Sequence, residues 1–112
     1  MSNVKNLSYT FAYTGRDSKH FVIDLTNWNV SNVTNMSSTF AGTGYFSTVF
    51  GLGDLSRWDV TNVTDMSSMF RQTGYSANWY LNCTGWNISK VKNHANFNLD
   101  IPKKVIAPKW VN

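Results

Sequence analysis

Apolar positions fall at short, uneven intervals along this chain: Leu25, Trp28, Val30, Val33, Met36 and Phe40, then Leu55, Trp58, Val60, Val63, Met66 and Phe70. Neither a 3.6-residue nor a sustained two-residue period fits them, so the pattern predicts neither an amphipathic helix nor a long alternating strand. It predicts a repeat. Residues 28–40 read W-N-V-S-N-V-T-N-M-S-S-T-F and residues 58–70 read W-D-V-T-N-V-T-D-M-S-S-M-F, identical at nine of thirteen positions. A further copy opens at Trp86 as W-N-I-S-K-V-K-N and decays, with His94 at the methionine position and Phe97 one place early. Residues 4–11, V-K-N-L-S-Y-T-F, match the second half of a copy.

Each copy is too small to bury its own apolar row, so neighbouring copies must stack. Stacking forms columns from Trp28, Trp58 and Trp86, from Val30, Val60 and Ile88, and from Val33, Val63 and Val91. The spacing L-x-x-W-x-V matches the start of a leucine-rich repeat, in which a short strand is followed by a turn. The expected fold is therefore a repeat solenoid of leucine-rich-repeat type, mostly short parallel strands and turns. Single helical turns are expected at Ser37–Phe40 and Ser67–Phe70, capped by Asn35 and Asp65. About three rungs plus a C-terminal cap make one domain over 1–112: a partial first rung and insert at 4–32, a second rung at 33–62, a third at 63–90, and a degenerate repeat and cap at 91–112. Gly15, Gly44 and Gly74, four residues after Phe11, Phe40 and Phe70, are the natural left-handed turn positions. Inserts of differing length follow them.

Composition agrees with this picture. Asn, Ser and Thr supply 37 of 112 residues and Glu is absent; such side chains compete with helical backbone for hydrogen bonds, which excludes a helix bundle. No segment is long and apolar enough to span a membrane, and the N-terminus lacks the apolar core of a signal peptide. The net charge is +4, but Lys90, Lys92, Lys103, Lys104 and Lys109 crowd the last 23 residues. A nucleic-acid partner therefore rests on the basic tail alone. With Cys83 as the single cysteine, no internal disulfide and no thiolate zinc site is possible.

The repeat W-[ND]-V-[ST]-N-V-T-[ND]-M-S-S-x-F resembles that of BspA-like leucine-rich-repeat proteins, over residues 4 to about 98. The resemblance implies a multi-copy cell-surface or secreted protein of bacteria, or of some protists, with a role in adhesion to host or matrix proteins. The missing leader sets a rival expectation, a small cytoplasmic protein of phage or mobile-element type that binds and inhibits a host protein.

Catalytic candidates are few. Cys83 aligns with Leu25 and Leu55, a core column, and His94 replaces a core methionine, so core packing is preferred to a Cys/His nucleophilic pair. Asp24, Asp54 and Asn82 form a column of oxygen ligands that would suit calcium, yet turn capping explains it without a metal. Seven N-x-[ST] triplets follow from the repeated turn chemistry and would matter only in a eukaryotic secretory pathway. No catalytic residue, metal or cofactor is expected, and the chain is read as a non-enzymatic, protein-binding repeat domain. Its expected binding residues are Asn27, Asn29, Arg57 and Asp59 on the strand face, with Tyr45, Tyr75 and Trp79 in the inserts. End-to-end self-association at an open N-terminal rung is a further expectation.

Overall fold

Residues one copy apart pair in parallel through the backbone. Asn6 pairs with Asn35, Asn35 with Asp65, and Asp65 with Asn93. The computed structural model describes residues 4–111; the first three residues, part of the segment read as lacking a signal peptide, lie outside the described residues. Among the described residues there are four short strands, β1 (His20–Val22), β2 (Val49–Gly51), β3 (Leu81–Asn82) and β4 (Val105–Ile106). β1 pairs in parallel with β2, and β3 with β4. One 3₁₀ turn spans Leu55–Arg57, its N-cap Asp54 accepting from the Ser56 N–H. Among the described residues no helix is long and apolar enough to cross a membrane.

Between Asn35 and Gly42 the backbone divides its hydrogen bonds by parity. Met36, Ser38, Phe40 and Gly42 donate to the carbonyls of Asp65, Ser67, Met69 and Arg71 in the next copy. Thr39, Ala41 and Thr43 instead donate locally, to Met36, Ser38 and Phe40. The result is a run of overlapping turns in which every second N–H reaches a neighbour. Such a run needs left-handed residues, and Tyr9, Ser38, Ser68 and Asn96 occupy equivalent places with φ of 54 to 60°. The single helical turns expected at Ser37–Phe40 and Ser67–Phe70 are therefore absent, because a left-handed residue in the middle of each breaks the helical run.

The expected strand at Leu-x-x-Trp-x-Val is also replaced by turns. Leu25 accepts from the Trp28 N–H and Val30 from the Val33 N–H, while Asn29 Oδ1 accepts from the Ser31 N–H. Local bonds of this kind use up the donors that a strand would offer to its neighbour. The regular strand β2 lies instead within the insert read at Tyr45–Gly53, and β1 straddles the end of the insert read at Arg16–Phe21, where β-branched and aromatic residues (Phe21, Val22, Val49, Phe50) concentrate. The pairing also runs further than the repeat motif. Phe70 and Gln72 donate to Phe97 and Leu99, and β4 continues beside β3, so much of the segment read as a cap keeps the register of the copies before it.

The core lies between these turn segments and the Leu-x-x-Trp-x-Val segments. Val30, Val60 and Ile88 are buried, as are Val33, Val63 and Val91. A ladder of rings runs through it, Phe11 stacked on Phe40 at 5.5 Å and Phe40 on Phe70 at 5.4 Å, with Phe97 edge-on at 5.3 Å. Trp58 and Trp86 are buried and tie copies together, their indole N–H groups donating to the carbonyls of Leu25 (2.8 Å) and Leu55 (2.9 Å). Trp28 is half-buried.

Buried hydroxyls add a set of cross-links that hydropathy does not announce. Thr39 Oγ1 donates to the Leu7 or Met36 carbonyl, Thr43 Oγ1 to Phe11, and Thr73 Oγ1 to Phe40 at 2.7 Å. Replacing Thr73 by the isosteric valine is expected to cost about 1–1.5 kcal/mol, the upper part of the net range for a hydrogen bond, since this one is buried. Thr64→Val, which removes an exposed counterpart to the Thr34 carbonyl, should cost under about 0.5 kcal/mol. Urea unfolding of both variants checks the contrast; equal losses would mean that the Thr73 hydroxyl contributes nothing specific.

Candidate partner-binding faces

Two groups of exposed side chains recur along the stack. The first follows the Leu-x-x-Trp-x-Val segments, where Asn29, Asp59 and Asn87 each accept the N–H two residues on at 3.1 Å. The Ser31 and Thr61 hydroxyls also donate to Asn29 and Asp59, at 2.6 Å. These bonds fix the turns and leave the side chains exposed beside Asn27 and Arg57. The Thr61 hydroxyl, with its N–H, holds the Asp59 carboxyl below the usual carboxylate range. Its contribution is thus present above the ordinary carboxylate pKa and lost as pH falls through the lowered one. Asn62 bridges copies on this side, donating to the Ser31 carbonyl at 2.8 Å and accepting from Lys90 at 2.9 Å.

The second group follows the left-handed glycines. Gly15, Gly44 and Gly74 have φ of 62°, 58° and 55°, and the residue after each, Arg16, Tyr45 and Tyr75, falls in one column. Backbone bonds hold that column, from the Phe46 N–H to Arg16 and from the Ser76 N–H to Tyr45. Tyr45 and Tyr75 stack at 4.9 Å with planes 3° apart. Phe46 meets Tyr45 edge-on at 4.7 Å, and the Arg16 guanidinium lies 4.8 Å over the Phe46 ring. Phe46 and Tyr75 remain 47% and 44% exposed, which makes this a surface cluster of arginine and aromatic rings. Residue type alone does not single out Arg16 as a member of this cluster. The dipeptides Gly15-Arg16, Gly44-Tyr45 and Gly74-Tyr75 carry the signal that would have placed it.

Trp79 sits apart from this cluster. Its ring packs 4.8 Å from Phe50 and its indole N–H donates to the Thr73 carbonyl at 3.3 Å, so part of its surface belongs to the fold. The structure thus brings Tyr45 and Tyr75 into contact, lines up Asn29 and Asp59 as equivalents, and ties Trp79 to the core margin.

The other candidate chemistry is absorbed by the fold. Asp24, Asp54 and Asn82 each accept the N–H two residues on, from Thr26, Ser56 and Thr84, and the Thr26 hydroxyl and N–H hold the Asp24 carboxyl below its usual range. Among the described residues no group of three His, Cys, Asp or Glu side chains could hold a metal ion. Cys83 is buried in the core, and burial pushes its thiol well above the ordinary range. A thiol held protonated is a poor nucleophile. In native protein Cys83 is expected to react with an aromatic disulfide reagent far more slowly than in denaturant; equal rates would place it at the surface.

A family model described as a Mycoplasma protein of unknown function, DUF285, matches residues 1–104. No curated protein and no solved structure matches the chain.

Proposed function

We propose that this chain, which belongs to the DUF285 family, is a repeat solenoid of leucine-rich-repeat type that binds a protein partner and carries out no catalysis. Its repeat is of the BspA-like kind, and the role that follows is adhesive, with the partner a host or matrix protein. The parallel pairing of Asn6, Asn35, Asp65 and Asn93 supports the architecture. The observation that carries the function is the surface cluster in which exposed Arg16, Phe46 and Tyr75 surround the half-buried Tyr45. Arginine and tyrosine are the residue types that dominate binding energy at protein interfaces. Their placement on a stacked column makes the cluster stiff, so little side-chain freedom is lost on binding.

The test is binding of the purified chain to a panel of immobilised matrix proteins and to fractionated host-cell protein. Saturable binding is expected. Tyr75→Ala combined with Arg16→Ala should keep the native melt and weaken that binding roughly 30-fold, about 2 kcal/mol. Lys103→Ala with Lys109→Ala should leave affinity unchanged. Loss in the lysine variant alone, together with steep salt dependence, would replace this account with an electrostatic one centred on the tail.

A further inference from the structure

The two ends of the stack are chemically opposite. Over residues 7–13 and the equivalent stretches of the later copies, the backbone bonds between copies run from an earlier N–H to a later carbonyl. Leu7, Tyr9, Phe11 and Tyr13 donate to Asn35, Ser37, Thr39 and Ala41, and the pattern continues to Phe97 and Leu99. At the left-handed Gly44 and Gly74 the direction reverses, Gly44 donating to Thr14 and Gly74 to Thr43. The carbonyls of Asn6, Ser8, Thr10 and Ala12 stand one copy before those acceptors, and no described residue donates to them. At the other end the N–H groups of Asn96, Asn98 and Asp100 take the places of the Ser68, Phe70 and Gln72 donors, and they reach no described acceptor. One end is a row of acceptors and the other a row of donors, in the same register.

Two acceptor rows cannot hydrogen-bond to each other, so a symmetric pairing of like ends gains nothing. A donor row set on an acceptor row repeats the bonding that already joins copies within the chain. The acceptor end also carries half-buried Val4, Phe11 and Trp28, which pack against the core from that side. The donor end is covered differently. Trp110 stacks on His94 at 4.1 Å with planes 3° apart and meets Phe97 edge-on at 5.1 Å, so it lies over the last ring of the ladder.

We propose that this chain carries a head-to-tail self-association surface, the carbonyl edge Asn6–Ala12 of one copy fitting the N–H edge Asn96–Asp100 of a second, and that Trp110 is the stopper that keeps it closed. The occupant is a second copy of this chain, because its N–H row at Asn96, Asn98 and Asp100 has the same register as the donors that bond the equivalent carbonyls within the chain. A head-to-tail contact does not close on itself, so its product without the stopper is an open chain of copies. The proposal stands independently of the protein-binding reading.

Sedimentation velocity over a hundredfold concentration range tests it. The wild-type chain is expected to stay monomeric, while Trp110→Ala gives a mass that rises with concentration and reaches no plateau. Ser8→Lys with Thr10→Lys in the Trp110→Ala background sets positive charge on the acceptor edge and should restore the monomer. That triple variant mixed with wild-type chain should form a one-to-one dimer and nothing larger, since each partner then supplies one live edge. A chain ending at Ala107 keeps β4 and serves if Trp110→Ala does not melt cooperatively. A folded stopperless chain that remains monomeric, aggregates that the lysines do not prevent, or open polymers of the wild type would each overturn the proposal.

Discussion

Trp58→Ala is expected to abolish the native fold or leave it barely populated at room temperature. The indole is buried and holds the preceding copy at two points, its ring 6.1 Å from that of Phe40 and its N–H bonded to the Leu25 carbonyl. Removing a buried aromatic of this size costs about 3–5 kcal/mol, and the Leu25 carbonyl loses its indole donor besides. A domain of this length has roughly 5–15 kcal/mol in total. Far-ultraviolet circular dichroism during urea titration reads the outcome. Trp28→Ala, at a half-buried site, should cost clearly less; a native-like midpoint for Trp58→Ala would mean that the tryptophan column does not hold the copies together.

Gly44→Val should be nearly as damaging, for a backbone reason. Gly44 is left-handed with φ of 58°, a conformation that costs a side-chain-bearing residue about 1–2 kcal/mol and a β-branched one more. A Cβ there would also lie 2.5 Å from Cδ1 and Cε1 of Phe50. That ring cannot swing away freely, because Phe21 stacks on it at 5.8 Å and Trp79 packs at 4.8 Å. The combined loss is expected to reach roughly 3–4 kcal/mol. Gly85→Ala is the matched control: nothing lies within 4 Å of the added carbon, and stability should change by less than about 0.5 kcal/mol. Similar losses in the two variants would remove the argument from Gly44 geometry.

What the sequence made legible was the set of repeated positions. Val30, Val60 and Ile88, with Val33, Val63 and Val91, are named by alignment alone and are buried, because a repeat that stacks must place equivalent residues in one environment. The glycines were legible because few residues other than glycine adopt left-handed backbone without cost. The course of the chain between these points was not. Ser38 and Ser68 are left-handed without being glycine, and the overlapping turns they permit leave no periodic trace in hydropathy. The threonine cross-links were hidden for a related reason, since Thr39, Thr43 and Thr73 look like any polar turn residue until the next copy supplies a carbonyl.

The candidate site was partly legible. Tyr45 and Tyr75 were found as insert aromatics and do meet. Arg16 was passed over because its column holds two tyrosines and one arginine, so similarity of side chain gave no cue where equivalence of position did. Trp79 shows the converse: its type suggested an anchor for a partner, while its ring spends much of its surface on Phe50.

The whole stack depends on equivalent backbone positions 28 to 30 residues apart being paired in parallel. Scalar couplings across hydrogen bonds, measured by nuclear magnetic resonance on labelled protein, report donor and acceptor directly. Couplings from the amide nitrogens of Phe11, Phe40 and Phe70 to the carbonyl carbons of Thr39, Met69 and Phe97 are the predicted result. Couplings from those three amides to carbonyls four residues earlier, as in a helix, would contradict it.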